Sequence, residues 1–273
     1  MFIAAVLVVA ALFLLAVIVR RYESSVAFWP TVGETATPDA FDVKYEPLSI
    51  GTRDGETLRA WWMPHQSPRA SILYFHGNGG NLSVWAPILA GIAQRGYTIL
   101  AFDYRGYGLS SGRPTERGLY SDVDAVMEEF HTLAFATAPT VYWGRSLGVA
   151  MAAYASTRRM PDGLILEAGF PSARSLLRHS PALKVLSLFS TYRFPAAAFL
   201  QRRSAPGPVL ILHGGRDRVV PIREGRALFE SLPDPKRFVT IPGGDHNDVE
   251  PSAPATYWHS VDEFVASLKS SPH

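Results

Sequence analysis

The chain opens on 18 consecutive apolar residues, 2–19, and 13 of them are Phe, Ile, Leu or Val. A helix rises about 1.5 Å per residue, so the run spans about 27 Å, close to the ~30 Å hydrocarbon core of a bilayer. Each such side chain favours insertion by roughly 0.3–0.6 kcal/mol near the helix centre, and no polar residue opposes them. The run predicts a single-pass transmembrane helix. Arg20 and Arg21 follow at once, as a stop-transfer flank does, and the positive-inside rule then places the rest of the chain on the cytoplasmic side. A cleaved signal peptide and a buried soluble helix are the competing readings. A signal peptide usually carries a basic stretch before a shorter apolar core, and here only the terminal amine precedes the run.

Residues 22–42 form a mixed lead-in, broken by Pro30, Gly33 and Pro38, that reads as a linker. Beyond it, short apolar runs alternate with segments of helical period. Strand patterns fall at 44–50 and 57–63 around Arg53-Asp54-Gly55-Glu56, where Asp-Gly signals a hairpin. Further strand patterns lie at 71–75, 97–102, 140–143, 163–166, 208–212 and 237–241. Helix patterns lie at 82–95, 115–133, 147–157, 222–232 and 255–268. This alternation predicts an α/β domain over 43–273, with a mostly parallel sheet flanked by helices. Fully apolar strands such as 72–75 and 209–212 suit burial on both faces. The opening hairpin would be an antiparallel edge. Residues 168–206 are the only space for a cap, and a small one. Its apolar residues include Leu176, Leu177, Leu183, Val185, Leu186, Leu188, Phe189 and the run 194–200. They read as packing on the domain, or as an acyl-binding or bilayer-facing surface.

Composition narrows the classes. The net charge is +2, and Arg20 and Arg21 account for it, since the remaining chain carries 24 basic and 24 acidic residues. A neutral body offers no field for gripping phosphate backbones, so no nucleic-acid partner is expected. There is no cysteine, which excludes disulfides, thiolate metal sites and cysteine nucleophiles.

In open α/β sheets ligands bind at the carboxyl ends of strands, so the residues just after each strand carry the chemistry. After 140–143 comes Gly144-Arg145-Ser146-Leu147-Gly148, a G-x-S-x-G turn between strand and helix. Ser146 would be a nucleophile at a helix N-terminus, where N–H groups favour developing negative charge. A serine hydroxyl needs a base, and His246 after the last strand is best placed. The base needs an orienting carboxylate, and Asp217 follows strand 208–212. Asp245 and Asp248 are rivals too close in sequence to reach the far ring nitrogen, and Glu167 is a weaker one. Leu147 N–H would supply one oxyanion donor. The loop His76-Gly77-Asn78-Gly79-Gly80-Asn81 would supply the other from Asn78, with Gly77 or Gly79 as register alternatives. The loop fits neither a P-loop nor G-x-G-x-x-G.

These residues resemble the α/β-hydrolase superfamily, and more closely its membrane-anchored branch of Bem46-like and α/β-hydrolase-domain-13- and 17-like serine hydrolases. The likeness rests on HGNGGN at 76–81, DYRGYGLSSG at 103–112, GRSLG at 144–148, RDRVVP at 216–221 and HND at 246–248, with RDGETLRAWWMP at 53–64. It covers about residues 42–270, and the anchor matches by arrangement only. It implies the α/β-hydrolase fold with an eight-stranded sheet, Ser146 as nucleophile, Asp217 as acid and His246 as base, and Asn78 and Leu147 as the oxyanion hole. It implies a small or lipid-like acyl ester or thioester as substrate, and no cofactor or metal. Asp103 and Arg105 read as a buried pair bracing a turn. Asp245 departs from the pattern, where a small residue is expected; it could raise the His246 pKa or add a hydrogen bond. The alternatives are a serine peptidase on the same triad and a non-catalytic membrane-tethered interaction protein. The lack of a large cap weighs against the first, and the complete set of three residues against the second.

Overall fold

The computed structural model describes residues 2–134, 137–178, 184, 188–205 and 207–268. Helix α1 (Phe2–Ala27) continues past the apolar run, through Arg20 and Arg21 and into the lead-in. Most of its described apolar side chains face outward, with Ile3 75% and Phe13 71% exposed. The expectation of a spanning helix at 2–19 is not met among the described residues, where no helix is long and apolar enough to cross a membrane. The helix instead runs on from the apolar stretch into the polar residues from Arg20 to Ser25.

Strand β1 (Trp29–Pro30) follows directly. After a 3-10 turn (Pro38–Phe41) come β2 (Glu46–Gly51) and β3 (Thr57–Met63), joined antiparallel through the Asp54-Gly55 turn. Next are β4 (Ser71–Phe75), β5 (Gly79–Gly80) and α2 (Leu82–Gln94), whose N-terminus Asn81 caps by accepting from Val84 N. Then come β6 (Thr98–Phe102) and α3 (Glu116–Leu133), capped by Thr115. Strands β7 (Thr140–Arg145) and β8 (Gly163–Glu167) enclose α4 (Leu147–Arg158). The cap contributes two short helices, α5 (Ala173–Leu177) and α6 (Ala196–Gln201). The chain ends with β9 (Val209–Gly214), α7 (Ile222–Glu230), β10 (Lys236–Ile241), α8 (Val249–Ser252) and α9 (Pro254–Ser267). Leu183, Val185 and Leu186 of the cap lie outside the described residues.

The main sheet has eight strands in the order β10-β9-β8-β7-β4-β6-β3-β2. From β10 to β6 all pairings are parallel, and β3 and β2 complete the sheet antiparallel. Successive side chains of a strand face opposite sides, so each central strand feeds two cores. Leu73 and Phe75 pack with Leu119, Val123 and Phe130 of α3 and with α4. Ile72 and Tyr74 pack with Trp85 and Leu89 of α2 and with Tyr257 and Val261 of α9. Trp61, Trp62 and Trp85 are all buried, as core residues should be. Helix α4 lies between the sheet and α6, which is why its buried positions are mostly small: Gly148, Ala150, Ala152, Ala153 and Ala155. A two-stranded parallel sheet, β1 with β5, was not foreseen, and the lead-in therefore has structure of its own.

Candidate active site

The parallel strands bring the ends of β7, β9 and β10 to one edge. Ser146 stands between β7 and α4 with φ 54° and ψ −115°. This is a left-handed conformation for a residue with a side chain and costs on the order of 1–3 kcal/mol. The turn is held by Ser146 N donating to Glu167 O at 2.8 Å. It is also very tight: a Cβ on Gly148 would collide with Phe75 O, and one on Gly144 with Gly148 O. Both flanks of the serine must therefore be glycine.

The loop after β10 carries His246 over this turn. Its Nε2 is 3.0 Å from Ser146 Oγ and its Nδ1 is 2.8 Å from Asp217 Oδ2. An ionised carboxylate only accepts, so Nδ1 carries the proton and Nε2 is left to accept from the hydroxyl. The other oxygen of Asp217 accepts from Val219 N at 3.0 Å and Val220 N at 2.7 Å. Thus three residues 71 and 29 positions apart in sequence meet in one hydrogen-bonded line. His213 braces the acid: its Nε2 donates to Val220 O at 2.8 Å and lies 3.5 Å from Asp217 Oδ2. Burial pushes the His213 pKa down, favouring the neutral ring.

The rival carboxylates do other work. Asp245 accepts from His246 N at 2.8 Å and Arg218 N at 2.9 Å and pairs with the Arg218 side chain. Those hydrogen bonds, the one from Arg218 N foremost, pull its pKa down to about 2. Asp248 accepts from Asp245 N and so stiffens the same loop. Glu167 is fully buried at the end of β8, where it accepts from Tyr257 OH at 2.8 Å and lies 3.3 Å from Arg145 Nη1. Arg145 in turn donates from Nη2 to His246 O at 2.9 Å and lies over the Trp85 ring. Sequence reading passed over Arg145, because it is the free position of G-x-S-x-G and nothing in its neighbours predicts a partner 101 residues away.

Asn78 lies after β4, and Leu147 opens α4. Among the described residues neither backbone N–H has a hydrogen-bond partner. The rest of Asn78 is tied down. Its Nδ2 donates to Ala27 O at 2.7 Å, and its carbonyl accepts from Tyr107 OH at 2.9 Å. The expected Asp103–Arg105 pair does not form. Arg105 reaches instead to Asp122 and Asp54, each at 2.8 Å, and burial raises the Asp122 pKa to about 6. Asp103 points the other way, accepting from Leu82 N at 2.8 Å beside His76. The chain leaves β6 at Phe102 and turns at Arg105, so the strand rule that positions two apart share a face does not hold between these two side chains.

Residues 66–206 match the sequence profile of the family described as serine aminopeptidase, S33. An uncharacterized protein of Mycobacterium tuberculosis is 32% identical over 227 residues, which cover 82% of this chain and 80% of that protein. An uncharacterized membrane protein of Saccharomyces cerevisiae is 33% identical over 235 residues, covering 84% and 82%. Among solved structures, a Pyrococcus furiosus esterase superposes with a TM-score of 0.72 at 18% identity, over 89% of this chain and 98% of that one. At that identity the likeness is one of fold.

Proposed function

The chain belongs to the α/β-hydrolase family described as serine aminopeptidase, S33, and from that premise we propose that it is a membrane-anchored serine hydrolase of carboxylic esters or thioesters. The observation that carries the reading is the unbroken line from Ser146 Oγ through His246 to Asp217. In it, Ser146 Oγ attacks the acyl carbon while His246 Nε2 takes its proton. Asp217 keeps the imidazole in the required tautomer and stabilises the imidazolium. Negative charge on the carbonyl oxygen falls to the free N–H groups of Asn78 and Leu147. The acyl C–O or C–S bond then breaks, and His246 returns the proton to the leaving alcohol or thiol. Water attacks the acyl-enzyme by the same route, giving the acid and regenerating Ser146.

Esters and thioesters are favoured over the amino-terminal peptides in the family's description. An aminopeptidase needs a carboxylate beside the nucleophile to hold the substrate's ammonium. Here Asp217 holds His246, Asp245 holds Arg218, and Glu167 holds Tyr257 beside Arg145. The anchor is read from the apolar run 2–19, with the yeast relative, described as a membrane protein, in support. A panel of esters and thioesters of graded chain length, run on wild type and Ser146→Ala, tests the activity. Wild type should turn over part of the panel, and Ser146→Ala should lose about four or more orders of magnitude in kcat. Equal turnover by the two proteins contradicts the assignment.

A further inference from the structure

The segment leaving α1 lies across the loop that carries Asn78. Trp29 and Pro30 pair with Gly79 and Gly80, and Thr31 N donates to Gly80 O at 2.8 Å. Asn81 Nδ2 donates back to Gly33 O at 2.7 Å. Gly33 N donates to Gly108 O, and Gly108 N to Thr31 O, both at 2.8 Å. Thr35 N and Ala36 N both donate to Ser83 Oγ. At the upstream end, Ala27 O, in the last turn of α1, accepts from Asn78 Nδ2 at 2.7 Å. That turn is itself moored to the cap. Phe28 is 3% exposed and meets the Tyr192 ring edge-on at 5.4 Å; Ser24 Oγ lies 2.6 Å from Tyr192 OH; Glu23 accepts from Thr191 N at 2.8 Å.

We propose that residues 27–33 are a positioning strap, with Ala27 O as a latch on the Asn78 side chain that aims the Asn78 N–H at the reacting carbonyl. The inference rests on the reading of Asn78 as an oxyanion donor. Its physical basis is rotation about the Asn78 backbone. With the side-chain amide fixed by Ala27 O and the carbonyl fixed by Tyr107 OH, the Asn78 nitrogen is held in place and its N–H keeps only the rotation about N–Cα. Without the latch the loop of Gly77, Gly79 and Gly80 has ample freedom, and a misplacement of about 1 Å is worth roughly 100-fold in rate. The end of α1 thereby positions a group of the site, and is not only a lead-in to it.

The test is a double-mutant cycle in the full-length chain, Asn78→Ala on the loop and Phe28→Ala on the strap, assayed on one short-chain ester. Each single variant should lower kcat, by about 10- to 100-fold for Asn78→Ala, with KM little changed. The double variant should be no slower than the slower single one, because both release the same latch. Phe28→Leu, which keeps the apolar mooring, should recover kcat, separating positioning from a general loss of fold. Multiplying losses, or a Phe28→Ala variant with wild-type kcat, overturns the strap while leaving the hydrolase intact. A wild-type chain without ester turnover overturns the hydrolase reading and the strap together.

Discussion

His213 illustrates how much of the site lies behind the hydrogen-bonded line of Ser146, His246 and Asp217. It is fully buried, its Nδ1 has no hydrogen-bond partner among the described residues, and its Nε2 holds the Val220 carbonyl beside Asp217. Burial depresses its pKa in the folded chain below the ordinary 6.5. The unfolded chain then binds the proton more readily, so the neutral ring's contribution is complete above pH 6.5 and is lost as pH falls below it. Thermal unfolding between pH 7 and 5 should show a falling midpoint for wild type and a flatter profile for His213→Gln. An equally steep fall in the variant would contradict this. Residues of this kind mark the limit of sequence reading. Ser146, Asp217 and His246 are legible because each sits just past a strand in the chain order of the fold, and local pattern places strands well. The partner of Arg145 and the true partners of Arg105 depend on which side of the sheet a side chain leaves, and that needs the register.

At the level of elements, the alternation of short apolar runs with helical segments gave every strand of the main sheet to within a few residues. Burial on both faces makes a central strand a short continuous apolar run, as in β4 and β9, and that run is what the pattern picks out. The β1–β5 pair left no such trace. Its two-residue strands are too short to show a period, and its register is set by the loop at Gly79 and Gly80, about 50 residues away. The turn at Ser146 shows a third case, in which sequence names the glycines but only the structure gives their cost. A methyl group on Gly148 would meet Phe75 O, a backbone atom with little room to move. Gly148→Ala should destabilise the chain by about 1–3 kcal/mol or more, read as a lower denaturant midpoint with an unchanged slope. A midpoint equal to wild type would mean that β4 and α4 can separate, and the tight turn would not be what fixes Ser146.

For the whole molecule, a neutral α/β body carries a cationic pair at the exit of an apolar run, and the last turn of α1 beyond that pair contacts the cap at Thr191 and Tyr192. If residues 2–19 lie in a bilayer, the full chain should remain with membranes through alkaline carbonate extraction. Charges near the middle of the run cost roughly 2.5–3.5 kcal/mol each, so the double substitution Leu7→Arg, Leu12→Arg should release it. Retention of that variant would place the membrane contact elsewhere. The central claim concerns one oxygen atom, and a fluorophosphonate probe tests it most directly. After labelling of the full-length protein and digestion, mass spectrometry should find the phosphonyl adduct on Ser146, and Ser146→Ala should carry none. No adduct on wild type, or undiminished labelling of Ser146→Ala at another residue, would contradict the account.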